Sequence, residues 1–487
     1  MRIIFFILMF FILSVGITTA KPVKIFGFAP EYKNATLTFQ KYTDYISLQK
    51  LDIAKFDIDS LGNFSVVFDT DRTIEIFVLL GIYKAYIFVE PGGKYEVVLP
   101  PRQDKTLVHE LNLYFEEEEI SIGIKNANEK ELNYLIFNFN NEYERFVSES
   151  FNWLYIFKDK KVVDSLEHAL DSVFSNSKNQ FFLDYKFYKY AILRHFVYER
   201  DRMLVTNKYL KDKPVLHDNP AYMHFLNQVW NNYIVSDFTT DFGAKLHSSI
   251  VLGKSPTMVY ANMQQNIALR DPKLNELILL KCLNDAFANP SDFPRPALKQ
   301  TLDSVALLTL VEQHKIMAKN IKIATETLEV GEAAFNFILP SKDSVLVSLD
   351  KFKGKFVYLC FCRSESYTCQ QDYLLLKSIK EYFPTEIEII TISTDQDYNV
   401  FKEYLQRNEQ FDWLFLYDKE KNQLKHNFNI KAIPSYFLID PQGRLAIQPT
   451  LSPEQGFIRQ FAQILAWKKR VEDAEKLKNE GEYNFNK

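Results

Sequence analysis

The amino-acid sequence predicts a multi-domain protein with an N-terminal β-sandwich, an α-helical middle region and a C-terminal α/β domain. The hydrophobic period changes from two to between three and four after about residue 122, and strand and helix patterns alternate from about residue 327. The length of 487 residues also exceeds one ordinary domain, because domains usually hold roughly 100–200 residues. With 47% hydrophobic and 25% charged residues, the composition is typical of globular proteins.

Charge and motif content exclude several function classes. The net charge is −4 and both signs are dispersed, so no basic block indicates a nucleic-acid partner. The eight histidines are scattered and show no metal-ligand spacing. The sequence also lacks a glycine-rich phosphate loop. We therefore predict no metal and no cofactor.

The N-terminus has the pattern of a secretory signal peptide. A positive end at Arg2 precedes an apolar run over Ile3–Val15, and small residues lead to Ala20. A short membrane anchor is the alternative, but the apolar run is shorter than the ~20 residues that span a bilayer. Cysteine is absent near the cleavage point, which argues against a lipoprotein anchor. We predict residues 1–20 as a cleaved signal peptide, and a mature chain without a transmembrane segment in the periplasm or at the outer-membrane periphery.

Residues 21–122 read as short strands separated by turns. Apolar residues alternate with polar ones over Ala35–Phe39 and over Phe64–Phe68, which follows a turn at Asp59–Asn63. Three more strands are predicted at Thr73–Val78, Ala85–Val89 and Tyr95–Leu99. Short strands that recur about every ten residues, with turn residues between them, predict a small β-sandwich.

Residues 123–326 have helical spacing. Leu132, Leu135 and Phe139 recur at intervals of three and four, and prolines divide the region into short helices. The aromatic run Phe181–Phe196 is interleaved with basic residues, and we interpret it as a core helix in preference to a nucleic-acid surface. Cys282 lies in an apolar stretch and is expected in the core.

Residues 327–468 alternate strand and helix, which predicts a βαβ-type core. The predicted strands are Phe356–Phe361, Glu386–Ser393, Leu414–Tyr417 and Tyr436–Ile439, and the predicted helices are Gln370–Tyr382, Asn399–Arg407 and Pro453–Trp467. Residues 469–487 read as a polar tail that frays.

Several landmarks of this last region occur in one recognisable order. The segment Gly331–Phe337 leads to Lys353–Lys355, the strand, a loop that opens a helix at Ser366–Cys369, and finally Ile433–Pro434 and the turn Asp440–Arg444. This order resembles the TlpA/ResA-like thiol–disulfide oxidoreductases of bacterial envelopes, a branch of the thioredoxin superfamily. The resemblance implies a thioredoxin fold for residues 327–468. More loosely, the whole layout is similar to envelope proteins common in Bacteroidetes.

The resemblance implies a site at the start of a helix. In such enzymes Cys-x-x-Cys begins the helix, whose dipole favours the thiolate of the first cysteine. That thiolate attacks a disulfide, and the second cysteine resolves the mixed disulfide. A cis-proline loop faces the thiols and offers backbone groups to the substrate chain, and Ile433 and Pro434 match it here. Protein or peptide clients are therefore expected.

This chain departs from that pattern at the decisive position. Ser366 replaces the attacking cysteine, while Cys369 holds the resolving position. A serine hydroxyl is a poor nucleophile without an adjacent base, and this loop contains no histidine. The family's tryptophan after the strand is Cys362, the small residue after it is Arg363, and the second tryptophan is Glu365. We therefore predict a degenerate active site in a binding or atypical redox module.

Two alternatives keep catalysis by Cys369 open. Cys360 and Cys362 lie two residues apart on a strand and so share a face. Cys369 could pair with either of them in an alternative disulfide, or all three could be buried free thiols. The sequence Ser366-x-x-Cys369 is also similar to the peroxidase motif of peroxiredoxins, although Cys362 stands where those enzymes have proline and Pro434 where their activating arginine lies.

Overall fold

A computed structural model describes residues 20–106, 109, 115–237, 240–325, 328, 330–395, 397–418, 423–430, 432–447 and 449–484. The predicted signal peptide therefore lies outside the described residues except for Ala20. The described residues fall into two compact units: the first runs to Lys105 and resumes from Glu116 to Thr325, and the second contains the remainder.

The first unit begins with two β-sheets. Its strands are β1 (Lys21–Phe28), β2 (Thr36–Tyr42), β3 (Lys50–Asp57), β4 (Asn63–Thr70), β5 (Ile74–Leu80), β6 (Tyr83–Val89), β7 (Lys94–Val98), β8 (Glu118–Ser121) and β9 (Gly123–Ile124). One sheet has the order β4-β1-β7-β9 and the other β3-β2-β5-β6-β8. Buried residues from both sheets form one hydrophobic cluster. All five predicted strands are confirmed, whereas the sequence reasoning missed β1, β3, β8 and β9.

The turn before β4 shows why these residues fold locally. The backbone N–H groups of Leu61 and Asn63 donate to one carboxylate oxygen of Asp59, at 2.9 and 2.8 Å. Gly62 has a φ of 95°, which a side chain would disfavour. Aspartate and glycine together therefore set the register of the strand that follows.

Helices form the rest of the first unit. They are α1 (Leu132–Glu149), α2 (Lys160–Val173), α3 (Gln180–Val197), α4 (Arg202–Tyr209), α5 (Pro220–Val229), α6 (Tyr233–Asp237), α7 (Asp241–Val251), α8 (Pro256–Met263), α9 (Pro272–Ala286), α10 (Arg295–Leu308) and α11 (Glu312–Ala324), and a π-helix spans Asn152–Ile156. Their apolar faces share a second cluster.

Two predictions about this helical core are confirmed. The aromatic helix α3 buries Phe182, Tyr185 and Tyr188 in the cluster, as expected of a core helix. Cys282 is buried on α9, and burial raises the pKa of its thiol to about 12. The boundary predicted near residue 122, between a β domain and a helical region, stays a prediction.

The second unit contains a five-stranded sheet of order β14-β13-β12-β15-β16. Its elements are the hairpin β10 (Ile338–Pro340) and β11 (Leu346–Ser348), then β12 (Phe356–Cys362), α12 (Tyr367–Tyr382), β13 (Ile387–Ser393), α13 (Tyr398–Arg407), β14 (Leu414–Tyr417), α14 (Gln423–Asn427), β15 (Ser435–Ile439), β16 (Leu445–Ile447) and α15 (Phe457–Asn484). The strands β12, β13 and β14 are parallel, whereas β15 runs antiparallel to β12. Every strand predicted here is confirmed.

The central strand β12 divides two hydrophobic clusters. Every residue of β12 is buried. Phe356, Tyr358, Cys360 and Cys362 belong to one cluster, and the residues between them belong to the other. Side chains on a strand alternate between faces, so the two cysteines share a face.

The closing helix corrects the sequence prediction at both ends. We predict Pro453–Trp467, but the helix begins at Phe457, after Gly456, whose φ is 98°. It continues to Asn484, so much of the predicted fraying tail 469–487 is helical. Lysine, glutamate and alanine are good helix formers, which the assignment of a polar tail overlooked.

No helix within the described ranges is long and apolar enough to cross a membrane.

Candidate functional site

Three cysteines of the second unit meet at the carboxyl end of β12. Cys360 and Cys362 come from the strand, and Cys369 comes from the first turn of α12. All three have no exposed surface and belong to one buried cluster. All are free thiols.

Ser366 begins the helix that carries Cys369. It is the N-cap of α12, and its hydroxyl accepts a hydrogen bond from the backbone N–H of Cys369 at 3.4 Å. Serine is a favoured N-cap because its oxygen satisfies an amide that has no partner within the helix. The residue at the predicted attacking position is therefore engaged in starting the helix.

Hydrogen bonds make Cys369 the most acidic of the three thiols. The pKa of Cys369 is lowered because the Cys362 thiol donates to its sulfur, and burial opposes this effect. The Ser366 hydroxyl and the backbone N–H of Arg363, which lies 3.4 Å from the sulfur, also favour the thiolate. Burial raises the pKa of Cys362 well above its usual value, and burial and then Asp372 do the same for Cys360.

A buried carboxylate lies one turn further along α12. Asp372 is 1% exposed, and it accepts a hydrogen bond from the hydroxyl of Tyr436. Burial raises the pKa of Asp372, and this hydrogen bond opposes the rise. Tyr436 lies opposite Cys360 in the pairing of β15 with β12. Sequence reasoning missed both residues, although the spacing of three between Cys369 and Asp372 places them on one side of a helix.

A second buried carboxylate holds the loop between β12 and α12. The backbone N–H and the hydroxyl of Ser364 both donate to Asp395 Oδ1 at 2.9 Å. Ser393 Oγ donates to the other carboxylate oxygen at 2.6 Å. Gln370 Nε2 then donates to the carbonyl of Ser364 at 2.8 Å. These bonds position the loop, and local sequence does not indicate them because Asp395 is 31 residues from Ser364.

The structure places the predicted proline loop beside the same strand. The Ile433–Pro434 peptide bond is cis. β15 follows at once, and Ser435 pairs with Phe361 near the end of β12. Ile433 is half-buried and packs against the cluster that contains the three cysteines. The loop therefore has the conformation that the resemblance implied.

The surface over this cluster presents no thiol. In the loop and first turn, Glu365, Tyr367 and Thr368 are exposed, whereas Ser366 is 7% exposed. A bulky disulfide substrate consequently meets hydroxyl and carboxylate groups before any sulfur. Among the described residues, no group of three or more histidine, cysteine, aspartate or glutamate side chains is arranged to hold a metal ion.

Comparison with known proteins agrees with this architecture. Residues 354–445 match a family model described as thioredoxin-like. The C-terminal domain is thioredoxin-like. Over 122 residues the chain is 25% identical to thiol-disulfide oxidoreductase ResA of Bacillus thuringiensis subsp. konkukian (strain 97-27). This match covers 25% of this chain and 69% of that protein. The chain is 21% identical over 145 residues to ResA of Bacillus subtilis (strain 168), and this match covers 29% of this chain and 78% of that protein.

A solved structure shares the likeness over a similar length. The thioredoxin domain of a thiol-disulfide oxidoreductase from Bacteroides vulgatus is 22% identical, with a TM-score of 0.26. The match covers 28% of this chain and 99% of that one. The family model itself lies wholly within the second unit, so it bears on the thioredoxin-like domain and not on the first unit.

Proposed function

We propose that this chain is an exported cell-envelope protein whose thioredoxin-like domain binds a protein or peptide segment at the Ile433–Pro434 loop without dithiol–disulfide exchange. The single observation that carries the proposal is that Ser366, the residue predicted at the attacking position, is a helix cap while Cys369 is fully buried. Thiol exchange requires a thiolate that a substrate disulfide can reach.

The loop geometry supports peptide binding. Ile433 and Pro434 are only half-buried, and they directly precede β15 at the end of the central strand. A client segment there would meet the exposed side chains of Glu365 and Tyr367. Hydrogen bonds to an extended backbone give affinity with little demand on sequence, which suits varied clients.

Export rests on the sequence of residues 1–20. A basic end, an apolar run and small residues before Lys21 are the parts of a signal peptide. We place the mature protein in the periplasm or at the periphery of the outer membrane. The two sheets of the first unit, which we interpret as a β-sandwich, and its helices would serve as a docking body.

A reductase assay tests the proposal. With dithiothreitol as reductant, the full chain should not accelerate insulin reduction. The Ser366→Cys variant should gain a disulfide with Cys369, because an N-cap and the third residue of the helix lie within one turn. Turnover by the unmodified chain that is lost in Cys369→Ser would contradict the binding function.

A second candidate function uses sulfur differently. The Cys362 thiol donates a hydrogen bond to the Cys369 sulfur, so the two atoms are already neighbours. A small oxidant such as hydrogen peroxide could convert Cys369 to a sulfenic acid with release of water. Attack by Cys362 would then form the disulfide and release a second water. Cys360 is the alternative partner, because it shares the face of β12.

Mass mapping after peroxide treatment distinguishes these outcomes. The second candidate requires a Cys362–Cys369 disulfide that disappears in Cys362→Ser and persists in the matched variants Cys360→Ser and Cys282→Ser. A disulfide that is lost in Cys360→Ser instead would assign the alternative pair. If all four cysteines remain alkylatable without reductant after unfolding, the rewired disulfide is wrong and the binding function stands.

A further inference from the structure

The π-helix of the first unit exposes large apolar side chains in an unusually dense group. Phe151, Trp153, Ile156 and Phe157 are between 54% and 64% exposed, and they lie within seven consecutive residues. Leu154 is the one residue of the π-helix that is buried. Single exposed apolar residues are ordinary, but a contiguous group of them marks an interaction site.

Ring contacts join these side chains to α3. The rings of Trp153 and Phe157 have centroids 5.1 Å apart, and Tyr155 lies 5.0 Å from Phe196. Phe196, on α3, is 48% exposed. We call the group of Phe151, Trp153, Tyr155, Ile156, Phe157 and Phe196 the aromatic patch; Tyr155 is half-buried and the other five are exposed.

The patch is held firmly although it is exposed. Leu154 anchors it in the hydrophobic cluster of the helical core. The backbone N–H of Phe157 donates to the carbonyl of Asn152, and that of Asp159 donates to the carbonyl of Trp153, both at 2.9 Å. The aromatic side chains are therefore presented by ordered backbone, so binding them would cost little ordering entropy.

Positive charge borders the patch. Lys158 Nζ lies 4.9 Å from the ring centroid of Phe196, and Lys160 and Lys161 are exposed at the start of α2. Asp159 is the single acidic residue between 151 and 161, and it caps α2 by accepting from the N–H of Lys161 at 2.8 Å. The segment thus combines three lysines with one aspartate whose carboxylate already has a partner.

Phe196 also lines a pocket that has three cationic side chains in its wall. The pocket has a volume of about 800 Å³, and Phe196, Arg200, Arg202 and Lys281 are among the residues that line it. Lys281 is paired with Asp285 at 2.6 Å, and Arg202 lies 4.6 Å from the ring centroid of Tyr233. Arg200 is exposed at the rim. Cationic groups therefore lie both along the segment that carries the aromatic patch and in the pocket that Phe196 lines.

We propose that the aromatic patch is a membrane-interface site at which the first unit inserts aromatic side chains among the headgroups of an anionic lipid surface. Tryptophan and phenylalanine are favoured at this depth, and lysine and arginine beside them attract anionic headgroups. A mixed aromatic and cationic surface matches such a bilayer in both polarity and charge. The site is separate from the proline loop and does not depend on the proposed client binding.

Vesicle binding tests the proposal with the full chain. We expect cosedimentation with vesicles of phosphatidylglycerol and phosphatidylcholine in equal parts, weak binding to phosphatidylcholine alone, and loss of binding at high salt. The Trp153→Gln/Phe157→Gln variant should bind about tenfold more weakly or worse, because two apolar side chains no longer leave water. Lys160→Gln should weaken binding roughly fivefold.

Matched variants distinguish binding through the patch from nonspecific adsorption to vesicles. Leu310 is fully exposed between α10 and α11, and Leu310→Gln should leave vesicle binding unchanged. Arg145, which is paired with Glu142, gives the matched charge control in Arg145→Gln. Brominated lipid should quench tryptophan emission in the unmodified chain and lose most of that effect in Trp153→Phe.

Three outcomes would overturn the proposal. The first is absence of binding to anionic vesicles, and the second is binding that the patch variants do not weaken. The third is that the patch recognises a protein instead of lipid. The unmodified chain would then capture a purified protein but bind no vesicles, and Trp153→Gln/Phe157→Gln would abolish that capture.

Discussion

The hydroxyl of Tyr436 donates a hydrogen bond to the buried carboxylate of Asp372, one helical turn beyond Cys369. The two residues are 64 positions apart in the chain. Tyr436 also stacks on Tyr358, with ring centroids 5.5 Å apart. This pair places a buried carboxylate one turn from the cysteine cluster, and the first prediction depends on it.

Removing the tyrosine hydroxyl should destabilise the thioredoxin-like domain. In Tyr436→Phe, Asp372 loses its hydrogen-bond donor, so the free energy of unfolding should fall by about 1–3 kcal/mol. Burial already raises the pKa of Asp372, so the folded domain loses stability as the pH rises above the unfolded value near 3.8. The variant should steepen that loss, which thermal unfolding from pH 3 to pH 7 would measure. Asp372→Asn is the matched control and should flatten the profile.

The Ser366 side chain should stabilise the first turn of α12. Ser366→Ala removes the oxygen that accepts from the Cys369 amide, so the opening free energy of the first turn of α12 should fall by about 1 kcal/mol. Hydrogen exchange of the α12 amides would measure it. Ser366→Asn keeps a capping oxygen and should stay close to the unmodified chain. Equal protection in the alanine variant would show that the cap contributes nothing.

The four cysteines should resist modification in the folded state. All are buried, so alkylation has to await local opening. Iodoacetamide should label them far more slowly than it labels the chain in urea, as read by mass spectrometry over time. Loosening the first turn of α12 by Ser366→Ala should speed the labelling of Cys369 more than that of the other cysteines, because Ser366 caps this turn and the Cys369 thiol has the lowered pKa. Rapid labelling of Cys369 in the unmodified chain would contradict its burial.

A histidine pair should make the first unit sensitive to acid. His217 and His314 face one another with their Nε2 atoms 2.9 Å apart. Burial, and then His314, lowers the pKa of His217 to about 4. The unfolded chain takes up this proton near pH 6.5, so stability present above pH 6.5 should fall as the pH drops toward 4, by roughly 2–3 kcal/mol.

Substitution of one histidine isolates this effect. His217→Gln should remove most of the slope in melting temperature between pH 6.5 and pH 4. His168→Gln changes an exposed histidine on α2 and should leave the slope unchanged. If His217→Gln keeps the full slope, the acid sensitivity arises from other titratable groups and this prediction is wrong.

Local pattern explains what could be predicted about the thioredoxin-like domain. The buried strand β12, the helix that opens after Ser366 and the loop at Pro434 each leave a signature within a few residues: an apolar run, a capping residue, a proline. The closing helix shows what local pattern cannot predict. Residues beyond Trp467 are helical, but they lack the apolar stripe from which a packed helix is predicted.

Residue identity and spacing are enough to place a serine three positions before Cys369 and to put Cys360 and Cys362 on one face of a strand. The packed domain is needed to bring the Cys362 thiol to Cys369, Tyr436 to Asp372 and Asp395 to the loop at Ser364. Distance along the chain explains the difference. Periodicity and capping act over one or two turns, whereas a buried polar group finds its partner wherever the packed sheet brings a donor within reach.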